Sequence, residues 1–256
     1  MSASSLTLFR VSGIPLIKPG DNLAQIIYDA VIKDEFQLED NDIVVIAQKI
    51  VSKAEGQIVD LNTIKPGDEA RKLAIVADKD PRQVQLILDE SREVVRCKEG
   101  VIIVEHHSGI VMANAGIDHS NVDEQEGKEL VTLLPEDANR SASELGSQLQ
   151  ELSHAQLAVI INDSVGRAWR VGTVGIAIGS WGIEPLKDLR GEQDLFGQEL
   201  RVSETADADA LAASACLLMG EAADASPVVI IRGHTVTAEA ENTGILVRDK
   251  EDDMFR

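Results

Sequence analysis

Short apolar runs, each stopped by polar residues, recur from one end of the chain to the other. Most have the length and the Val/Ile content of strands. "LTLFRV" (6–11) and "DIVVIAQ" (42–48) are the first two. "EVVRC" (93–97) and "VIIVEHH" (101–107) flank Lys98-Glu99-Gly100, which predicts an antiparallel hairpin, and "GIVMANAGID" (109–118) continues it. "LAVIIND" (157–163), "GTVGIAIGS" (172–180) and "PVVIIRG" (227–233) complete the set. A different period governs the segments between. Leu23, Ile26, Ile27, Ala30 and Val31 recur at helical spacing behind Asp21-Asn22, a plausible N-cap. Helices are also expected over 66–78 and 81–90, the second introduced by Asp80-Pro81. A further helix is expected over 141–152, where Ser141 and Glu144 are spaced as a capping box, and another over 206–220, rich in Ala and Leu. Strands in adjacent pairs with helices clustered between them predict an α+β fold with mixed, largely antiparallel sheets.

Length and composition narrow the picture. At 256 residues the chain buries a substantial core and suits one large domain or two closely joined lobes. Aromatic residues are only 3% of the chain, so that core has to be aliphatic. No apolar run approaches the roughly 20 residues of a membrane span, and "MSASSLTLFRVSG" lacks the basic-then-apolar order of a signal peptide. Cys97 and Cys216 stand apart, outside any C-x-x-C pattern, as buried small hydrophobes in a reducing compartment; a cytoplasmic location is expected. The formal net charge of −20 disfavours nucleic acid and anionic membranes as partners. A chain so acidic that handles anionic substrates needs divalent cations to mediate the contact.

The familiar signatures are missing: no P-loop, no G-x-G-x-x-G after a strand, no H-E-x-x-H and no G-x-S-x-G. His106-His107 is a poor ligand pair, since neighbours on a strand point to opposite faces. What remains are polar residues at the ends of apolar segments. Asn114, Asp118 and Asn121 follow one; Asp163 and Ser164 follow another; Glu221 and Asp224 lie beyond a helix; Ser52, Lys53 and Glu55 lie beyond a strand. Carboxylates, a hydroxyl and a lysine are what a hard cation shared with phosphates requires. The same residues also end strands because they make turns, and "VIINDSVGR" taken alone reads as a turn ahead of a site.

Taken in order, "VSGIPLIKPGDNLA", "QKIVSKAEG", "NAGIDHSNV", "NDSVGRAWRVGTVGIAIG", "KDLRGEQDLFGQEL" and "LLMGE…PVVIIRG" resemble the coenzyme F420-0:L-glutamate (gamma-glutamyl) ligase family over nearly the whole chain. That resemblance implies a GTP-dependent ligase of F420 biosynthesis. The acceptor is F420-0, a deazaflavin whose tail carboxylate is phosphorylated by GTP, and the amine of L-glutamate then displaces phosphate to form an amide. It implies two divalent ions, Mg²⁺ or Mn²⁺, with K⁺ as a further candidate. Asp118 and Asp163 would hold the first ion, Ser164 and Glu221 the second. GTP contacts would come from Ile14, Pro15, Leu16 and Ile17, from Gln48, Lys49, Lys53 and Asn121, and from Met219, Gly220, Glu221, Ala222, Ala223, Asp224, Ala225 and Ser226. Arg167 and Arg170 are anion contacts or salt-bridge partners. "AADAS" (222–226) stands where some relatives carry glycines, so left-handed backbone is less expected there. The resemblance further implies one catalytic domain over 1–256 with two interleaved lobes, no flavin-binding extension, and an intertwined homodimer. The competing readings are a related ligase acting on another carboxylic acid and a GTP-binding protein without catalysis.

Overall fold

The computed structural model describes residues 5–119, 127–220, 224–237 and 242–254. In chain order its regular elements are β1 (Thr7–Arg10), α1 (Leu23–Lys33), β2 (Ile43–Ala47), α2 (Gln48–Ala54), β3 (Ile58–Asp60), α3 (Asp68–Ala77), α4 (Pro81–Asp89), β4 (Ser91–Lys98), β5 (Val101–His106) and β6 (Val111–Ala113). They continue with β7 (Leu130–Thr132), α5 (Ala138–Ser153), β8 (Ala158–Gly166), β9 (Thr173–Trp181), β10 (Lys187–Asp188), β11 (Glu204–Thr205), α6 (Asp207–Met219) and β12 (Val228–Arg232). The largest sheet runs β1-β12-β2-β8-β9, and smaller ones are β4-β5-β6, β3-β7 and β10-β11. Among the described residues every ladder is antiparallel except β2–β8.

Alternation along the central strands sorts their side chains into two cores. Val44, Ile46, Val159, Ile161, Val228 and Ile230 face α1, α2 and α5. Ile43, Val45, Ala158, Ile160, Val229 and Ile231 face α6. Both faces are covered, which explains why these strands read as continuous apolar runs. A third cluster joins Ala70, Ala74 and Ala77 of α3 to Val84 and Ile87 of α4, Ile102 and Val104 of β5, and Val131 of β7.

Most expected elements form close to their expected bounds. Asn22 caps α1 by accepting the Gln25 N–H at 3.1 Å, and Asp80 caps α4 ahead of Pro81. Three differences have plain causes. The helix expected at 141–152 begins at Ala138, because Asp137 is its N-cap. Ser141 is already in the second turn and gives its hydroxyl to the Glu55 carboxylate, so no capping box forms. The apolar stretch 42–48 ends as a strand at Ala47, and Gln48 opens α2, a helix without a side-chain N-cap. Finally, Asn162-Asp163-Ser164 is not a turn: β8 runs on to Gly166, paired residue by residue with β9, which bulges at Ile178.

An ion pair between a buried aspartate and a half-buried arginine ties the sheet together. Asp42 is fully buried and accepts from Arg232 Nε and Nη2, both at 2.8 Å, and from the Glu39 N–H at 2.9 Å. The guanidinium also covers the Phe36 ring at 4.8 Å. Removing one partner of such a pair strands the other charge. Arg232→Ala is therefore expected to lower the unfolding free energy by about 3 kcal/mol in urea titrations; a loss well below 1 kcal/mol would contradict the role given to this pair.

Candidate functional site

The C-terminal ends of the parallel pair β2 and β8 lie side by side, with Ala47 opposite Asn162. β2 turns from there into α2 while β8 continues toward β9, and a cleft of about 520 Å³ opens between them. Its walls are Ile14–Ile17, the first turns of α2, Asp118, Asn162–Ser164, the last turn of α6, and Ala225–Pro227. Backbone hydrogen bonds hold these segments in place. The Gly20 N–H donates to the Ala54 carbonyl at 2.8 Å, anchoring the 14–20 loop on α2. The Ala47 N–H donates to the Pro227 carbonyl at 2.8 Å, anchoring 225–227 at the end of β2. Asp118 and Thr132 exchange two backbone hydrogen bonds, which fixes Asp118 at the rim.

Helical spacing places Lys49 and Lys53 one turn apart on α2. Lys53 is buried in the cleft wall, and Lys49 Nζ lies 2.6 Å from Asp118 Oδ2. Gln48, also buried, accepts the Ser52 hydroxyl at 2.9 Å and hydrogen-bonds the Asp163 carboxylate. On β8, alternation sends Asp163 toward α2 and its neighbours Asn162 and Ser164 toward α6. Asn162 Nδ2 accordingly reaches Cys216 Sγ at 3.2 Å, and Ser164 Oγ lies 3.7 Å from the same sulfur. Burial pushes the Asp163 carboxyl up to about 6, and the charge of Asp118 adds to the rise. The Ser164 N–H, the Gln48 side chain and the Lys49 ammonium oppose it.

The donor set suits a hard divalent cation. Asp118 and Asp163 offer carboxylate oxygens on the α2 side of β8, and Ser164 offers a hydroxyl on the opposite, α6 side, so the three do not form one ligand set. The Lys49 ammonium, bonded to Asp118 and attracting Asp163, marks this corner as one that stabilises positive charge. Among the described residues no cluster of three His, Cys, Asp or Glu side chains forms. His106 pairs with Ser108 and His107 with the Asp89 carbonyl, so neither faces the cleft.

The cleft brings together Ile14, Pro15, Leu16, Ile17, Gln48, Lys49, Lys53, Asp118, Asp163, Ser164, Met219, Gly220, Ala225 and Ser226. Asp224 is beside it, so close to Gly220 that a Cβ there would stand 2.0 Å from the carboxylate. With φ at +74°, position 220 needs glycine on both counts. Asn121, Glu221, Ala222 and Ala223 lie outside the described residues. Sequence reasoning gave no role to Asn162 or Cys216, both of which line the floor. The usable signal for Cys216 was its place one helical turn before Met219. Glu55 and Asn114 do not line the cleft. Ala225 has φ +50°, so a left-handed residue does occur in the loop where glycines are missing.

The family model described as F420-0:Gamma-glutamyl ligase matches residues 13–233. The coenzyme F420:L-glutamate ligase of Methanothermobacter thermautotrophicus is 45% identical over 98% of this chain and 99% of its own length. Those of Methanocaldococcus jannaschii and Methanopyrus kandleri are 43% and 40% identical over 95% and 98% of this chain, and over 94% and 99% of their own lengths. The chain belongs to the F420-0:gamma-glutamyl ligase family. The matched region contains every described side chain of the cleft.

Two outcomes follow from the geometry. The folded-state pKa of Asp163 stands above its ordinary value of 3.8, so the metal-free folded protein binds the extra proton. The stability this group contributes is full below its unfolded pKa and is lost as pH rises through about 6. The unfolding free energy of the unsubstituted protein minus that of Asp163→Asn should fall across that interval, and a pH-independent difference would contradict the burial of this carboxylate. At position 225, Ala225→Gly relieves a left-handed Cβ. It is expected to leave the urea midpoint unchanged or raise stability by up to about 1 kcal/mol, against the loss that glycine ordinarily brings.

Proposed function

We propose that this chain is a GTP-dependent ligase that adds L-glutamate, in gamma linkage, to coenzyme F420-0 in F420 biosynthesis. The observation that carries the reading is the meeting of Asp118, Asp163, Ser164, Lys49 and Lys53 in one cleft of a member of this ligase family. A carboxylate and an amine do not condense unaided in water. Transfer of the γ-phosphoryl group of GTP to an acceptor carboxylate oxygen gives an acyl phosphate and GDP. The glutamate amine then attacks the acyl carbon, loses a proton, and expels phosphate as the amide forms.

Each step assigns work to residues of the cleft. Leu16, mostly exposed on the 14–17 loop, and Met219 offer apolar surface to the guanine base. Lys49 and Lys53 meet the phosphates as compact point charges. Gly220, Asp224, Ala225 and Ser226, together with Asn121 and residues 221–223, complete the nucleotide contacts. Asp118 and Asp163 would hold one divalent ion, Mg²⁺ or Mn²⁺, and Ser164 with Glu221 a second. Such ions neutralise the phosphoryl oxygens and align donor with acceptor. Gln48 orients the Asp163 carboxylate.

The remaining parts of the reading are a single catalytic unit over 1–256, a homodimer, K⁺ as a further candidate ion and a cytoplasmic location. Among the described residues no helix is long and apolar enough to cross a membrane.

Purified protein given GTP, Mg²⁺ or Mn²⁺, L-glutamate and F420-0 should yield a product heavier by one glutamyl residue or more, with one GDP and one phosphate per addition. Asp163→Asn should cut this turnover at least about a hundredfold, the scale of losing a charge-stabilising group at a reacting centre, while the variant stays folded by far-UV circular dichroism. Absence of any mass increment with either metal would refute the reaction, and normal turnover by the variant would refute the role of Asp163.

A further inference from the structure

The strand that carries Asp163 and Ser164 into the cleft does not stop at its edge. β8 continues to Gly166, β9 returns at Thr173, and the segment between forms an exposed hairpin tip, "RAWRVG". The tip holds Trp169, 85% exposed, between Arg167 and Arg170. Trp169 has φ +65°, a left-handed conformation that is a true outlier for a bulky side chain. Arg167 is pinned across the hairpin by a 3.0 Å hydrogen bond from Nη1 to the Gly172 carbonyl.

Charge around the tip runs against the rest of the molecule. The chain has 44 acidic residues in 256, yet between Asp163 and Glu184 there is none, and both cations of that interval are these two arginines. A backbone outlier, a largely exposed indole and a local reversal of charge all occur within one short tip. Strain and exposure of this kind persist where they serve a ligand. The tip begins three residues beyond Ser164, about 10 Å along the strand. A ligand resting on it therefore reaches the cleft only if its reacting end is carried on a tail.

We propose that this tip is the acceptor platform of the ligase: Trp169 stacks on the flat deazaflavin ring, and Arg170, with Arg167, faces the anionic tail leading to the reactive carboxylate. The proposal rests on the ligase reading for the identity of the acceptor. Stacking tolerates any flat aromatic ring and a guanidinium suits an anionic oxygen, so the pair is suited to a planar ring with a negatively charged tail. The cleft between α2 and the 14–17 loop, to which the ligase reading gives GTP, has none of residues 167–172 in its walls.

The test measures binding of F420-0 to the full chain without GTP, separating bound from free ligand by ultrafiltration and reading the deazaflavin absorbance. It is followed by the KM for F420-0 and for GTP in the ligase assay. Trp169→Ala is expected to weaken F420-0 binding at least about fivefold, the lower end of stacking losses, with the KM for GTP unchanged. Trp169→Phe should restore most of the affinity, and Arg170→Gln should weaken it without altering the urea midpoint. If F420-0 binds with this dependence on Trp169 but no product forms, the platform stands and the ligase reading falls. If F420-0 fails to bind, or binds Trp169→Ala as tightly as the unsubstituted protein, the platform is overturned. A Trp169→Ala variant that changes only the solution mass, by light scattering, overturns it in favour of a contact between copies.

Discussion

The parallel pairing of β2 with β8 is the constraint on which the rest of the site depends. Its register puts Ala47 opposite Asn162, so both strands finish their apolar runs at the same level. Only then does Gln48, first residue of α2, arrive beside the Asp163 carboxylate. A slip of one residue would turn every β8 side chain to the other face, sending Asp163 toward α6 and the apolar residues into the wrong cores. That slip is opposed by both hydrophobic clusters at once, since Val159 and Ile161 are buried on one face and Ala158 and Ile160 on the other. Stability of the sheet and placement of the carboxylate are thus one requirement.

From that register the electrostatics follow. The cleft collects two carboxylates, two ammonium groups and two hydroxyls at the mouth of an aliphatic core. Burial raises the Asp163 pKa, and nearby Lys49 limits the rise. A site built this way accommodates added positive and negative charge together, which is what a metal–nucleotide complex brings. The acidity of the chain is carried elsewhere, and the β8–β9 tip is the stretch beside the cleft from which acidic residues are missing.

Much of this was legible before any coordinates. Apolar runs identified the central strands, and helical spacing with Asn22 and Asp80-Pro81 located α1 and α4, because those signals act over a few residues. Others were not. α2 is short and lacks a side-chain cap, and it follows β2 without a break, so Gln48 read as strand. Asp163 and Ser164 read as a turn because polar residues after an apolar run usually are one; pairing with β9, visible only in three dimensions, keeps them in the strand. Ser141 and Glu144 have capping-box spacing, but the helix starts earlier at Asp137. The approach of Asp118 to Lys49, across a long stretch of chain, has no local signal. Family resemblance, rather than spacing, named those residues together.

The most direct measurement is a crystal structure with Mn²⁺ and a non-hydrolysable GTP analogue, using the anomalous signal of manganese to locate the ion. The account predicts a peak bonded to carboxylate oxygens of Asp118 and Asp163 at about 2.1–2.2 Å, ordinary for a hard divalent ion, with the phosphates against Lys53 and the 225–226 backbone. Manganese and phosphates bound away from the ends of β2 and β8 would contradict it.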